Sequence, residues 1–526
     1  NNMNLDNVND DSEKVSEEPF VEAPVVNDEL KIGPPFVTEA FIFSTSGTSS
    51  YSGGTTYESY ATFVENGFIK STDMPVSTFS ADVDTASYSN IRRFLNDDTL
   101  PYVDAVRIEE MINYFNYDLP LPSEDEVISI TTELSDAPWN NEHQLLMVGL
   151  KTEEIDFSET SGNNLVFLLD VSGSMSSPDK LPLLKNAVKL LVGQLRDIDR
   201  ISIVVYAGAA GVVLDGADGN DSDAIIEAID ALEAGGSTAG GEGIDLAYQV
   251  ALDNYIEGGN NRVILGTDGD FNVGVSSVDA LEDLIVEKRE TGIYFSVLGF
   301  GTGNLKDDKM ETLADKGNGV YYYIDSILEA KKVFVQELGG SLITVAKDVK
   351  LQIEFNPLNV KGYRLIGYEN RLLDYQDFDN DEIDAGDLGA GHEVIAFYEI
   401  IPAGSSEEID TTEYDIPEDL KYDGSNFSEE LMTLSIRYKE PNYDTSELIE
   451  KVVMTSDYHT STSLTFRFSA SVVEFGLLLR DSEFKYNSSF EQVIFRATSS
   501  KGPDMNGYRE EFITLVEIAQ TLSQQD

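Results

Sequence analysis

The run Leu165-Val166-Phe167-Leu168-Leu169 does most to restrict the possible folds: five consecutive apolar residues between Asn163-Asn164 and Gly173. A strand with one face in water alternates apolar and polar residues, so an unbroken apolar run indicates a strand covered on both faces, as in a parallel sheet. Asp170-Val171-Ser172-Gly173-Ser174 follows directly. A carboxylate and two hydroxyls therefore emerge at the strand's carboxyl end, the edge at which open α/β sheets bind ligands. Alternate positions on a tight Gly-containing turn can bring three oxygens into one small volume, and hard cations such as Mg2+ take oxygen ligands.

Downstream the chain alternates helical and strand patterns, as a doubly wound sheet requires. Apolar stripes predict helices over residues 181–195, 223–232, 243–255, 278–289, 305–316 and 327–338. Strands are expected at 200–207, 262–267, 293–299 and 320–324, with 211–214 turning back on the first of these as an antiparallel excursion. Two further oxygen donors fall in this order. The glycine-rich stretch Gly235 to Gly241 carries Thr238, and the strand ending at Thr267 runs straight into Asp268-Gly269-Asp270. Asp-x-Ser-x-Ser, then Thr, then Asp, each in its strand-end context, resembles the metal-ion-dependent adhesion site of von Willebrand factor type A domains. The resemblance implies a Rossmann-like α/β fold over residues 159–340. It also implies a divalent cation, Mg2+ with Mn2+ or Ca2+ as alternatives, held by Asp170, Ser172, Ser174, Thr238 and Asp268. In that family the hydroxyls approach the cation directly, the carboxylates do so directly or through water, and a partner protein's Asp or Glu takes the open position.

The flanks divide into four further kinds of sequence. Residues 1–74 are acidic and then Ser/Gly-rich, and read as a largely disordered tether. Residues 75–125 read as a helical region, with Asp84-Thr85 able to cap the first helix; Asp82 and Asp84 are also metal-ligand candidates, although capping is the commoner use of Asp there. Residues 126–158 hold two strand segments, Val127 to Leu134 and Leu145 to Leu150, assigned an alternating pattern. A lone hairpin is marginal in water, and further strands are expected only after the α/β segment, within 341–465. The type A domain is therefore expected to be inserted into a β-rich domain. Three helical stripes fill 466–526. The stretch Thr78 to Tyr88, with Arg92-Arg93-Phe94-Leu95 and Ala105 to Phe115, resembles the region ahead of the type A domain in a bacterial family of exported, lipoprotein-type proteins, and the C-terminal part resembles that family's extra domain.

Charge and composition exclude whole classes of function. With 35 basic against 96 acidic residues the chain carries a formal charge of −61, which repels nucleic acid and anionic lipid and attracts cations and basic partners. Cys is absent, so neither disulfides nor thiol chemistry enter. No apolar run reaches the roughly 20 residues that span a bilayer. The start at Asn1, without Met or a signal-like apolar segment, reads as a processed or trimmed product whose attachment, by a lipid anchor for example, lies outside this chain. His143, His392 and His459 have no zinc-like spacing. The loop Asp377 to Asp384 is oxygen-rich enough for Ca2+ but lacks EF-hand spacing, so a solvated loop is expected. The resulting expectation is a non-enzymatic, cation-dependent binding protein of the bacterial cell envelope, exported, recognising a protein ligand that presents Asp or Glu. The alternatives are an envelope scaffold subunit with a structural metal and a metal-assisted hydrolase built on Asp170, Asp268 and Asp270.

Overall fold

The computed structural model describes residues 58–236, 240–269, 278–337, 343–412, 414–423, 427–441, 443 and 445–525. The strand Asn163–Asp170 lies inside a six-stranded sheet ordered Tyr321–Ile324, Tyr294–Phe300, Asn260–Thr267, Asn163–Asp170, Arg200–Tyr206 and Ala210–Asp218. Every pairing is parallel except the last, in which Ala210–Asp218 runs back along Arg200–Tyr206. Helices cover both faces, and the apolar run divides its residues between them. Leu165, Phe167 and Leu169 enter the core formed with Leu184, Val188 and Ile229, whereas Val166 and Leu168 enter the core formed with Ile244, Ala247 and Tyr248. No position along the strand faces water, which is why none of those five is polar.

Two antiparallel sheets form the frame. One is ordered Ile69–Lys70, Val360–Ile366, Glu393–Pro402, Asn140–Thr152, Ile128–Ala137. The other is ordered Leu372–Leu373, Val76–Ser80, Thr344–Phe355, Glu430–Lys439, Glu447–Met454, with Gly386–Gly389 also pairing with Thr344–Phe355. Their inner faces share one core that includes Leu146, Val148, Leu351, Ile353, Tyr398 and Leu434. The outer face of the first sheet is covered in turn by helices, through Leu145, Met147, Ile395 and Phe397 against Ile108, Phe466, Phe475 and Phe512. Strands on either side of the α/β segment thus belong to the same sheet: Asn140–Thr152 pairs with Glu393–Pro402.

Several expectations are corrected here. Leu145 to Leu150 does not alternate between core and solvent: all six residues are buried, because its sheet is sandwiched between the second sheet and the helix layer. Val76–Ser80, within the stretch expected to be helical, is a fully buried strand antiparallel to Thr344–Phe355. Its polar residues conceal it in the sequence, and Ser77 Oγ lies 2.9 Å from the Tyr398 hydroxyl. Residues 58–74, expected to be part of the tether, include the strand Ile69–Lys70. The helix expected over 327–338 is a short α-helix, Ile327–Lys331, continued as a π-helix over Lys332–Glu337. Asp82 and Asp84 are not caps, since the helix Ala86–Asn96 has no side-chain cap, and they belong to no group of three or more His, Cys, Asp or Glu arranged to hold a metal among the described residues. Both carboxylates accept from Arg371 Nη2 at 3.2 Å, and Asp84 also accepts the Tyr321 N–H at 2.8 Å.

Buried ion pairs fasten the α/β segment to this frame. Arg92, only 3% exposed, reaches Asp325 at 2.5 Å and Glu329 at 2.7 Å beyond the last parallel strand, and Glu511 of the final helix at 3.2 Å. Removing one member of such a cluster leaves buried charge uncompensated. We expect Arg92→Met to destabilise the fold by about 3–5 kcal/mol in urea denaturation; an unchanged midpoint would show that the cluster is dispensable.

Candidate functional site

The Asp170 turn is held from below and from the side. Met175, fully buried, packs into the core under the short 3-10 segment Gly173–Ser176. Backbone bonds from Gly235 N–H to the Val171 carbonyl (2.7 Å) and from Gly173 N–H to the Gly236 carbonyl (3.2 Å) tie the turn to the start of the glycine-rich loop. Within the turn, Ser172 N–H donates to Asp170 Oδ1 at 2.8 Å, and the Ser172 and Ser174 hydroxyl oxygens are 2.9 Å apart. The other Asp170 oxygen receives Tyr206 OH at 3.3 Å and Thr267 OH at 3.4 Å. Asp170 and Ser172 are buried, whereas Ser174 is exposed, so the donor group has a closed floor and an open rim.

Asp268 leaves the neighbouring parallel strand at the same edge and is fully buried. Gly269 follows at φ +87°, where a Cβ would lie 2.5 Å from the Lys306 nitrogen; only glycine lets the two loops approach this closely. Lys180 reaches across to Asp268 Oδ2 at 2.8 Å. Burial pushes the Asp170 carboxyl up to about 6; the nearby Asp268 charge adds to this, and the hydrogen bonds from Ser172 and Tyr206 oppose it.

Of the five candidate donors, Asp170, Ser172, Ser174 and Asp268 converge on this edge, while Thr238 lies outside the described residues, as does Asp270. Tyr206, Thr267 and Lys180 carried no motif and were not foreseen. The one local signal was a cation at a helix start: Lys180 is the N-cap of Leu181–Val192 and makes no side-chain cap, where Ser, Thr, Asp or Asn is favoured. Elsewhere the candidates are absorbed by structure. His143 bridges Glu399 and Glu407 at 2.7 Å each; burial opposes its charge, but those carboxylates outweigh it and raise its pKa. His392 is pushed down to about 4 by burial, and His459 is exposed. In the acidic loop, Asp379 pairs with Arg437, Asp381 accepts the Ser446 hydroxyl, and Asp384 pairs with Arg289. Among the described residues no group of three or more His, Cys, Asp or Glu is arranged to hold a metal; the strand-end site brings two carboxylates, Asp170 and Asp268, to one edge with the Ser172 and Ser174 hydroxyls.

A doubly wound sheet with one antiparallel edge strand and an Asp-x-Ser-x-Ser turn at a central strand end defines a type A domain protein, and the von Willebrand factor type A domain family model matches residues 164–336. A second model, described as von Willebrand factor, matches residues 55–147, and that of the C-terminal region of uncharacterized protein YfbK matches residues 340–522. The chain is 43% identical over 467 residues to uncharacterized protein YfbK of Escherichia coli (strain K12), covering 88% of this chain and 80% of that protein. It belongs to the YfbK family. It is also 30% identical over 200 residues to uncharacterized protein sll0103 of Synechocystis sp., covering 38% of this chain and 46% of that one. Among solved structures, von Willebrand factor type A from Catenulispora acidiphila is 18% identical with a TM-score of 0.41, covering 72% of this chain and 88% of that one. Type A domains generally mediate metal-dependent protein interactions and are generally not catalytic.

The electrostatics of Asp170 give a sign that can be checked without metal. Its folded pKa of about 6 exceeds the ordinary aspartate value of 3.8, so its ionised form is a cost to the fold that is absent below pH 3.8 and complete above pH 6. In EDTA at pH 7.5, Asp170→Asn is expected to be more stable than wild type by about 1–3 kcal/mol, with the advantage shrinking as the pH falls through 6 to 5. Thermal melts across that range check both the sign and the trend.

Proposed function

We propose that the strand-end site binds a divalent cation, Mg2+ in the first place with Mn2+ or Ca2+ as alternatives, and through it a carboxylate of a protein partner. The observation that carries this reading is the meeting of two buried carboxylates, Asp170 and Asp268, with paired Ser172 and Ser174 hydroxyls at an open rim. The donor chemistry fits the cation: every donor is an oxygen, as hard divalent ions require, and the fold leaves the Asp170 charge desolvated. Ser172, Ser174 and Thr238 would face the ion through their hydroxyls, and Asp170 and Asp268 would hold it directly or through water. A cation held partly through neutral hydroxyls keeps a coordination position open to an Asp or Glu oxygen. The chain's own residues do the rest: Tyr206 and Thr267 orient Asp170, and Met175 anchors the turn.

The protein so described is a non-catalytic binding protein. An exported, envelope-associated location belongs to the same proposal. A strongly anionic chain with an acidic N-terminal stretch suits presentation away from an anionic surface, and no helix among the described residues is long and apolar enough to cross a membrane.

Titration with Mn2+ tests the site itself. Asp170→Ala is expected to weaken Mn2+ binding at least 100-fold in calorimetry while retaining the wild-type circular dichroism spectrum; unchanged affinity would sink the reading. The partner is then sought by capture from an envelope extract and elution with EDTA. Bands retained by wild type and lost with both EDTA and Asp170→Ala support carboxylate recognition, whereas capture indifferent to both contradicts it.

A further inference from the structure

We propose that Lys180 is an internal counter-cation of the Asp170 and Asp268 pair that leaves surplus positive charge on the loaded site. The inference rests on the metal-binding reading above and adds the residue that sets its charge. The Lys180 side chain is nearly buried, with its ammonium 2.8 Å from Asp268 Oδ2 and 3.0 Å from Asn304 Oδ1.

Two features of the surrounding chain maintain that position. The lysine stem runs past Gly301 at φ +77°, where a Cβ would lie 2.3 Å from Lys180 Cε, so a glycine opens the channel the stem occupies. The loop that carries Asn304 is pinned from outside: Gly303 N–H donates to Glu58 Oε1 at 2.7 Å, and Ser59 N–H donates to the Leu305 carbonyl at 3.0 Å. The helix start loses by the arrangement, because a cation at a helix N-terminus opposes the macrodipole and Lys makes no cap. Local preference is given up where another interaction outweighs it.

The consequence is a matter of charge. Two carboxylates by themselves cancel a divalent cation, and a neutral site attracts an anion weakly. With the ammonium at Asp268 one positive charge is left over, which weakens cation binding and strengthens binding of a further carboxylate oxygen. Lys180 is thus a positioning and charge-setting residue.

Calorimetry with Mn2+ alone tests this on wild type, Lys180→Met, Lys180→Arg and Gly301→Ala, each checked for folding by circular dichroism. Lys180→Met removes the like charge and is expected to bind Mn2+ about tenfold more tightly, whereas Lys180→Arg keeps wild-type affinity. Gly301→Ala, which displaces the stem, should shift toward Lys180→Met. Acetate binding to the Mn2+-loaded proteins, read by water-proton relaxation, should weaken in Lys180→Met. If wild type binds Mn2+ but Lys180→Met binds it equally or more weakly, the lysine only supports the loop and the inference is overturned. If wild type takes up no Mn2+, the metal-binding reading fails, and this inference fails with it.

Discussion

A carboxylate at the end of a strand covered on both faces has little access to water, and the site is built around that constraint. Leu165 to Leu169 place Asp170 at the edge of two apolar cores, and its charge survives there only with help from neighbours. Tyr206 OH, Thr267 OH and the Ser172 N–H all donate to it, yet burial still pushes its pKa to about 6. Hydrogen bonds from neutral groups orient a buried carboxylate but do not neutralise it. On the proposed function a bound cation would supply the compensation that these hydrogen bonds do not.

The frame around the domain is charged where it touches. Arg107 pairs with Asp307 at 2.7 Å, and Arg371 with Asp315 at 2.7 Å, alongside the Arg92 cluster. Burial raises the carboxyls of Glu110 to about 8 and of Glu311 to about 7, against the pull of Arg107. Ion pairs this buried add little to net stability, but they tolerate almost no misalignment. They fix how the inserted domain sits on the sandwich, and through Glu58 and Ser59 the N-terminal segment reaches the loop beside Lys180.

What the sequence disclosed follows from the range of the interactions. The doubly wound domain, its insertion into a β-rich frame and the strand-end motif depend on runs and spacings of a few residues, so they are legible in one dimension. Val76–Ser80 is missed because three of its five buried residues, Ser77, Thr78 and Ser80, are polar, and Val76 and Phe79 alone do not make a strand pattern. The pairing of Lys180 with Asp268 spans 88 positions, and that of Arg92 with Asp325 spans 233; no local pattern announces either. The alternation expected over Leu145 to Leu150 fails because those six residues form an unbroken apolar run, the same sign of cover on both faces that Leu165 to Leu169 carries; the covering helices come from both the N-terminal and the C-terminal regions, through Ile108, Phe466, Phe475 and Phe512.

The central claim is that the Asp170 turn is a cation site. Anomalous diffraction from crystals soaked in Mn2+ tests it most directly. The account predicts one strong peak about 2.0–2.3 Å from the Ser172 and Ser174 hydroxyl oxygens, with Asp170 and Asp268 on either side. A map with no peak at this turn, or with Mn2+ only at the Asp377 to Asp384 loop, would contradict it.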